Sequence, residues 1–545
     1  MFLSAATLAS TVAPGCARKT GSGGAASRSV ETRGTAGRAA GVFRDALTAE
    51  PTTFDPAKVS DGPTIGFLMQ VYEGLVGWGD NNNIVPLIAA EMPKVSDGGK
   101  TYTFRLRPGV TFSNGRAVSA DDVKYSLTRA LDPKLNSPVV MDYLNDIEGA
   151  EALAKGQASE LTGVKIVDTR TVQIRLVGPR PYFLGKLTYP TGYVLAKEEV
   201  EKGPASEGGA KSIDQTNTVG TGPFKLASYV PQSKIVLSAN AGYWAGKPKI
   251  TSLQMPIVLD ALTRRNMYQS GQLDILTDIP KGDYEQDSQN PKLKDQIKMF
   301  ARAATFYLAL NQTHYAPFKD KRVRQAVAHA IDKDSIIKNA LQGINHKAEG
   351  IVPEGVPGFD PTLKGMPFDL AKAKALLAEA GFPDGKGLPP LTLAFRQSYP
   401  DYSNVAQVVQ QQLVGIGINV QLKEMDWATL LTQTNDKQID FFHMRWSADY
   451  LDPQDFLSLM FHTNSPENRV SYSNPQFDDL CDRADGELNN AKRMALYHQA
   501  ERIVVDDAPW VPIYFQRDVE LIQPYVKGIR DSLMGHLPYT TTTVD

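Results

Sequence analysis

The chain has 545 residues, of which 42% are hydrophobic and 22% charged, and its formal net charge is −2 at pH 7. This length exceeds one ordinary hydrophobic core and predicts two or three domains. The nearly balanced charge excludes an extended basic surface, so we expect no nucleic-acid partner.

The first 40 residues have the composition of a targeting segment. Residues 1–14 are small and apolar and lead into Ala-Pro-Gly-Cys, which predicts a lipoprotein signal over residues 1–16 with lipidation at Cys16. Residues 17–40 are rich in Gly, Ser, Ala and Thr and predict a flexible tether. No later apolar run reaches the ~20 residues that span a bilayer. We therefore expect a membrane-anchored lipoprotein in the periplasm or at the cell surface, in contact with the membrane through its lipid alone.

The first clear elements of the folded part are a strand and a capped helix. Residues 101–107 alternate apolar and polar side chains, a pattern that predicts a half-buried strand. Asn114-Gly115 predicts a turn. Ser119 and Asp122 have the spacing of a capping box and predict a helix over residues 119–131.

Strands and helices continue to alternate in the second half of the chain. The patterns predict strands over residues 306–311 and 418–422, and helices over residues 323–331, 369–381 and 405–413. This alternation indicates an α/β fold.

Residues 441–456, with the sequence FFHMRWSADYLDPQDF, are the most informative stretch. An apolar strand-like run passes through Arg445 and Trp446 to Asp449, and Asp452-Pro453 then predicts a turn. An aspartate among aromatic residues at the end of a buried strand can bind a cation in a dry pocket. The local sequence alone favours the alternative, in which Asp449 caps the following turn.

Several segments resemble a known family. Residues 106–126, LRPGVTFSNGRAVSADDVKYS, are similar to the signature of family 5 extracellular solute-binding proteins, and Gly-Thr-Gly-Pro-Phe follows at residues 220–224. Trp-Ser-Ala-Asp-Tyr-Leu-Asp-Pro, residues 446–453, resembles the ligand-site segment of oligopeptide- and dipeptide-binding lipoproteins of ABC importers. The resemblance extends over about residues 42–525.

The resemblance implies an α/β, two-lobed periplasmic-binding-protein fold of type II, cluster C, with an extra inserted α/β domain. Lobe I is expected over residues 41–72, 197–303 and 518–545. The inserted domain II is expected over residues 73–196, and lobe III over residues 304–517.

The resemblance also implies the function. We expect a monomer without cofactors that binds a short peptide between its lobes and delivers it to the permease subunits of an ABC transporter, with Asp449 holding the peptide's α-ammonium. The residues expected at the ligand are Ser60, Asp61, Gly62, Thr277, Asp278, Trp427, His443, Arg445, Trp446, Ser447, Asp449 and Tyr450. Core positions remain an alternative for both tryptophans.

The carboxylate end of the expected site departs from the oligopeptide-binding relative. Thr434 and His443 stand where that relative has arginines that help to receive the ligand's C-terminal carboxylate, and Val139 replaces a tyrosine. Arg445 replaces a small residue. Arg445 either takes over the carboxylate-binding role or fills part of the pocket, and the sequence leaves both alternatives open.

Catalytic and metal-binding patterns are scarce. The seven histidines are scattered without metal-ligand spacing, and no G-x-S-x-G motif is present. Cys481 lies in a predicted helix beside aspartates, which oppose thiolate formation. We therefore expect no enzyme and no metal site. The rival functions are a hydrolase on the same scaffold, a binder of a nickel complex, haem, an opine or an oligosaccharide, and a purely structural surface lipoprotein.

Overall fold

Six β-sheets organise residues 40–545, the part of the chain that this computed structural model describes. The predicted signal segment and tether, with Cys16, lie outside the described residues. The described helices are α1 Gly62–Val71, α2 Ala120–Ala130, α3 Val140–Leu144, α4 Ala150–Ala154, α5 Phe183–Lys186, α6 Lys197–Val200, α7 Ala261–Gln269, α8 Tyr284–Gln289, α9 Lys321–Ala330, α10 Lys333–Ala340, α11 Leu370–Glu379, α12 Pro400–Val414, α13 Trp427–Asn435, α14 Pro453–Phe456, α15 Ser458–Phe461, α16 Pro475–Gly486 and α17 Asn490–Asp507.

The strands alternate with these helices along the chain. They are β1 Val42–Arg44, β2 Val76–Trp78, β3 Ile84–Pro86, β4 Lys94–Ser96, β5 Thr101–Arg105, β6 Val164–Asp168, β7 Thr171–Arg175, β8 Phe224–Val230, β9 Lys234–Ala239, β10 Ser252–Pro256, β11 Ile275–Leu276, β12 Ile297–Leu310, β13 His346–Lys347, β14 Leu391–Arg396, β15 Val420–Met425, β16 Phe441–Ser447, β17 Trp510–Ile522, β18 Val526–Lys527, β19 Asp531–Ser532, β20 Gly535–His536 and β21 Thr543–Val544.

The elements predicted from local patterns are confirmed. Strand β5 and helix α2 occupy the predicted positions, and the main-chain N–H of Ser119 donates to the Asp122 carboxylate at 2.8 Å, as a capping box requires. Helix α11 begins after Asp369, whose side chain accepts from the N–H of Lys372 at 2.9 Å. Helix α12 extends beyond the predicted range because Pro400 opens it five residues earlier than Val405.

Three sheets correspond in position to the predicted parts of the chain. A sheet with the order β4-β5-β7-β6 lies within residues 73–196. A second sheet, β1-β10-β9-β8, joins the first segment of the predicted lobe I to residues 224–256 through the parallel pair β1 and β10. A seven-stranded sheet, with the order β11-β17-β12-β16-β14-β15 and β13 beside β17, contains the predicted ligand segment in β16. The three-part division itself stays a prediction.

Two long antiparallel strands connect the predicted lobes. β12 and β17 pair over most of their lengths and run through the predicted boundaries at 303/304 and 517/518. Their register shifts between Ala301 and Thr305. Beyond this shift, β17 pairs with β11, so that the loop after β11 lies beside the same strands as β16. These two strands therefore run from one predicted lobe into the other.

Candidate functional site

Part of one edge of β16 is unpaired. β12 pairs with the whole of β16 on one side, whereas β14 pairs with only its first three residues on the other. The N–H of Ala448 donates to the carbonyl oxygen of Ala303 at 2.7 Å. Because main-chain groups alternate in direction along a strand, those of Arg445 and Ser447 point away from β12. No strand among residues 40–545 pairs with them there, so the edge can accept an extended ligand.

Asp449 follows this edge and lacks a cationic partner. Its carboxylate accepts a hydrogen bond from the Tyr143 hydroxyl at 2.7 Å, and the Tyr143 ring stacks on Tyr189 with centroids 3.7 Å apart. Within the described part of the chain, no basic group lies within 4.0 Å of this carboxylate. Burial raises the pKa of Asp449 to about 7; the Tyr143 hydrogen bond and the positive charge of Arg469 oppose this rise, and the charge of Glu467 adds to it. An ammonium group would supply the missing charge.

Asp455 accepts a hydrogen bond from the main chain of Asp449. The sequence did not indicate this role. Its Oδ2 accepts from the N–H of Asp449 at 3.2 Å and from Nε1 of Trp446 at 3.1 Å. Desolvation and the neighbouring Asp449 charge raise the pKa of this fully buried carboxyl well above its usual range. Through these two hydrogen bonds Asp455 orients Asp449 and Trp446. In sequence it is indistinguishable from an acid in the first turn of a helix, because it lies near the start of α14.

The turn at Ser60, Asp61 and Gly62 reaches the same region from the predicted lobe I. The Tyr189 hydroxyl donates to the carbonyl oxygen of Val59 at 3.1 Å, which joins the turn to the Tyr143–Tyr189 stack. Ser60 and Gly62 are exposed. The Asp61 carboxylate is already engaged, because it accepts from the Thr64 N–H at 3.0 Å and the Thr52 hydroxyl at 2.6 Å. Asp61 therefore caps α1.

Arg445 lies in β16, next to the two strands that connect the predicted lobes. Its side chain is exposed, and Nη1 donates to Oε1 of Gln516 on β17 at 2.9 Å. The charge of Asp278, which is exposed and has a φ of 53°, acts on this guanidinium from the loop after β11. Thr277 beside it is half-buried. The negative charges of Asp278 and Asp518 both favour the protonated Arg445 guanidinium.

The two tryptophans occupy different environments. Trp446 is half-buried and held by Asp455, whereas Trp427 is 37% exposed at the start of α13. The guanidinium of Arg396 lies 5.0 Å from the centroid of a Trp427 ring. Ser447 is exposed on the unpaired edge. Trp427, Trp446 and Ser447 all have surface that a ligand can contact.

Two of the predicted ligand residues, Tyr450 and His443, have fully buried side chains. Tyr450 packs into a hydrophobic core formed mainly by residues 73–196. Its ring stacks on that of Tyr182 with centroids 6.3 Å apart, and its hydroxyl donates to Gln454. His443 is also fully buried, with Nδ1 3.1 Å from the carbonyl oxygen of Tyr307. Burial lowers the pKa of His443 to about 4, so the ring is neutral and offers no charge to a carboxylate.

Metal-ligand clusters and membrane-spanning helices are both absent from residues 40–545. No group of three or more His, Cys, Asp or Glu side chains there is arranged to hold a metal ion. No helix in the same range is long and apolar enough to cross a membrane. Cys481 is buried, and desolvation raises its thiol pKa well above the usual range, which makes it a poor nucleophile.

Comparisons with known proteins agree with the geometry. Residues 83–468 match the family model described as "Bacterial extracellular solute-binding proteins, family 5 Middle". Dipeptide-binding protein DppE of Bacillus subtilis is 32% identical over 508 residues, which cover 90% of this chain and 89% of that protein. Heme-binding protein A of Haemophilus influenzae is 30% identical over 510 residues, covering 91% of each. The structure of the Escherichia coli murein tripeptide binding protein MppA superimposes with a TM-score of 0.80 at 28% identity, covering 92% of this chain and 98% of that one.

Proposed function

The chain belongs to family 5 of the bacterial extracellular solute-binding proteins, and on that basis we propose that it captures short peptides and delivers them to the permease of an ABC importer. The observation that supports a peptide most directly is Asp449, a half-buried carboxyl without a basic partner at the end of an unpaired strand edge. A peptide α-ammonium supplies the charge, and the peptide backbone pairs with Arg445 and Ser447 as an added strand.

The fold supplies a route to closure around such a ligand. In the expected division, Asp449 belongs to lobe III (residues 304–517) and Tyr143 to the inserted domain II (73–196), so their hydrogen bond joins two parts. Lobe I (41–72, 197–303 and 518–545) contributes the turn at Ser60 and the loop at Asp278. Strands β12 and β17 connect lobes I and III and are the natural hinge. Closure removes water from the Asp449 carboxylate, which strengthens its interaction with an ammonium.

A haem ligand is the specific rival, because one similar relative is named a heme-binding protein. Haem carries carboxylates and no ammonium group, so an unpaired acid at the site disfavours it. The decisive comparison uses two equimolar tripeptide libraries, one with free and one with N-acetylated amino termini, with haem as a third ligand. We expect the protein to retain free-amine peptides in native mass spectrometry. Retention of haem alone would reject the peptide proposal.

Ligand binding should also close the lobes. Trp427 and Trp446 lie in the expected cleft, so peptide binding should reduce the radius of gyration and change the indole emission spectrum. Small-angle scattering and fluorescence during one titration measure both. Binding that leaves the scattering and the spectrum unchanged would contradict capture between lobes.

The remaining expectations concern attachment and chemistry. We propose that Cys16 carries a lipid anchor and that the protein acts as a monomer without catalytic activity. Cys16→Ser should move the protein from the membrane to the soluble fraction, because the lipid on Cys16 is its only proposed attachment to the membrane. A mutant that still sediments with membranes would contradict the anchor, and cleavage of a bound peptide would contradict the binding-only role.

A further inference from the structure

Tyr450 carries its side chain from the predicted lobe III into the core of the predicted domain II. That core encloses the side chain completely, and among the described residues Tyr450 is its only buried member from residues 304–517. The ring lies against the main chain of α5, where a Cβ atom on residue 185 would stand 2.9 Å from the Tyr450 Cβ. Because residue 185 is glycine, α5 leaves a recess for the ring, which we call the Gly185 notch.

The polar and apolar parts of Tyr450 face different parts of the protein. The hydroxyl donates to the Gln454 side chain, and the main-chain carbonyl oxygen accepts from the N–H of Asp452 at 2.9 Å. Both partners belong to the predicted lobe III, whereas the ring contacts the predicted domain II. Withdrawal of the ring from the Gly185 notch therefore leaves both hydrogen bonds in place and exposes only apolar surface. Such a contact can form and separate reversibly.

The predicted domain II is bound to lobe I by buried polar contacts. Arg129 on α2 donates to the Asp55 carboxylate at 3.0 Å, and both side chains are buried. The Tyr243 hydroxyl donates to the buried Glu73 carboxylate at 2.7 Å. Separating a buried ion pair is costly, because each charge is left without its partner. We therefore expect domain II to stay with lobe I when the lobes open, so that Tyr450 leaves the notch together with lobe III.

The position of the Tyr450 ring is coupled to that of Asp449, the residue before it. Tyr143, whose hydroxyl donates to the Asp449 carboxylate at 2.7 Å, belongs to the same core that encloses Tyr450. Two consecutive residues of lobe III thus contact one packed core of domain II. A ring in the Gly185 notch therefore keeps the carboxylate beside the Tyr143 hydroxyl.

We propose that Tyr450 is a positioning residue for the ligand. When lobe III closes, its ring enters the Gly185 notch and holds Asp449 against Tyr143, where the carboxylate receives the peptide's ammonium. The inference rests on the proposed peptide-binding function, and it gives Tyr450 a role in closure in place of the ligand contact that the resemblance implied. A bound peptide then leaves only after the ring has left the notch.

The test removes this contact from either side. Tyr450→Ala deletes the ring, Gly185→Ala fills the notch from domain II, and a double variant carries both changes. Tyr450→Phe keeps the ring and removes only the hydroxyl bonded to Gln454. Gly66→Ala is the matched helix-glycine control, since a Cβ atom there would have no neighbouring atom within 4 Å.

The ligand is the tripeptide that wild type retains most strongly from an equimolar library with free amino termini. Stopped-flow indole fluorescence measures its association and dissociation rates with each protein. Native mass spectrometry gives the number of peptides bound per molecule, and small-angle scattering gives the radius of gyration of the saturated protein.

Tyr450→Ala and Gly185→Ala should each accelerate dissociation by about tenfold to a hundredfold, as expected when the burial of one large apolar side chain is lost. Association and stoichiometry should be unchanged, and the saturated Tyr450→Ala protein should be less compact than wild type. The double variant should dissociate little faster than either single variant, because both changes remove the same contact. Tyr450→Phe and Gly66→Ala should keep the slow dissociation of wild type.

An unchanged dissociation rate in Tyr450→Ala, or effects that multiply in the double variant, would overturn the inference while leaving peptide binding intact. Fewer peptides bound per molecule with a wild-type dissociation rate would also overturn it, because Tyr450 would then act on folding alone. If Tyr450→Ala does not fold, Gly185→Ala tests the same contact from domain II. Retention of no tripeptide by wild type would overturn the proposed function as well.

Discussion

Asp449 and Asp452 lie three residues apart in one segment and have opposite environments. The Asp452 carboxylate accepts two hydrogen bonds from the Arg493 guanidinium, at 2.6 and 2.8 Å, and a third from the N–H of Gln454 at 3.0 Å. Asp449 has the Tyr143 hydroxyl at 2.7 Å, and no basic group of the described residues lies within 4.0 Å of its carboxylate, although the charge of Arg469 acts on it from farther away. Asp452 is thus neutralised within the fold, whereas Asp449 forms no such ion pair among the described residues.

Asp452, rather than Asp449, caps the turn that follows this segment. Asp452 caps α14 through Gln454, so the structural role that the local sequence assigned to Asp449 belongs to its neighbour. A buried carboxylate whose charge is neutralised by a basic side chain of the same protein contributes to the fold. A buried carboxylate without such an ion pair is a candidate binding site. This distinction depends on Arg493 and Tyr143, which are distant from both aspartates in sequence.

The largest expected effect comes from breaking the compensated pair. Arg493→Met keeps the apolar stem but leaves Asp452 buried without its cation, which should lower the free energy of unfolding by about 3–5 kcal/mol. Asp449→Asn is the matched control, because it removes an uncompensated charge and should leave stability unchanged or increase it. Urea denaturation of the two variants measures both effects. An equal decrease of the free energy of unfolding in the two variants would contradict the distinction between the two aspartates.

The second effect concerns affinity. Asp449→Asn should weaken binding of a free-amine peptide by about 2–5 kcal/mol, because the ligand's ammonium is then buried without its partner. This corresponds to roughly thirty-fold to several-thousand-fold in Kd. Calorimetry should use the wild type and the variant, each with one peptide in free and N-acetylated form.

In that cycle the wild type should strongly prefer the free amine, and the variant should lose most of the preference while its unfolding curve is preserved. An identical loss for the two peptides would mean that Asp449 acts only on the fold. The exposed Asp278 would then be the next acid to test, since Asp61 is engaged as the cap of α1.

Local patterns were sufficient for much of the fold. Helix α2 could be predicted because Ser119 and Asp122 carry its N-terminal signal within four residues, and β5 because its alternation is continuous. The strand β16 was identified by its apolar run. Such elements are determined by neighbours in sequence, which is the information that a single chain provides.

The contacts that define the site were not accessible in the same way. Tyr143 and Asp449 are 306 positions apart, and no local pattern relates them. The resemblance identified the β16 segment, yet it also suggested ligand contacts for Tyr450 and His443, whose burial depends on packing from distant segments.

The third effect is the contribution of Asp449 to the pH dependence of stability and of ligand binding. The folded pKa of Asp449, about 7, lies above the ordinary value of ~3.9. Its protonated form is therefore favoured in the empty folded protein. This contribution to stability is fully present below pH ~4 and is lost as pH rises through about 7.

Ligand binding should follow the opposite trend, because an ammonium group selects the ionised carboxylate. Affinity for a free-amine peptide should rise between about pH 5 and 7, by at most about tenfold per unit for one proton, and should fall above pH ~8 as the amine loses its charge. Calorimetry in buffers of different ionisation enthalpy measures the released proton. Burial also raises the pKa of nearby Asp142 to about 7, so Asp449→Asn is the necessary control. A slope that persists in this variant would assign the proton to Asp142.

The smallest effect should come from the hydroxyl that holds Asp449. Tyr143→Phe removes the 2.7 Å hydrogen bond but keeps the ring that stacks on Tyr189. A hydrogen bond to a carboxylate favours its ionised form, so the pKa of Asp449 should rise further and the pH dependence of binding should shift upward. The loss in affinity near pH 7 should be about 0.5–1.5 kcal/mol, or roughly twofold to tenfold. Tyr189→Phe, which removes the hydroxyl that donates to Val59 and neighbours Tyr143, should shift the pH dependence less, because the hydrogen bond to Asp449 is kept. A loss as large as that of Asp449→Asn would mean that the tyrosine hydroxyl, rather than the carboxylate, is the main contact for the ligand.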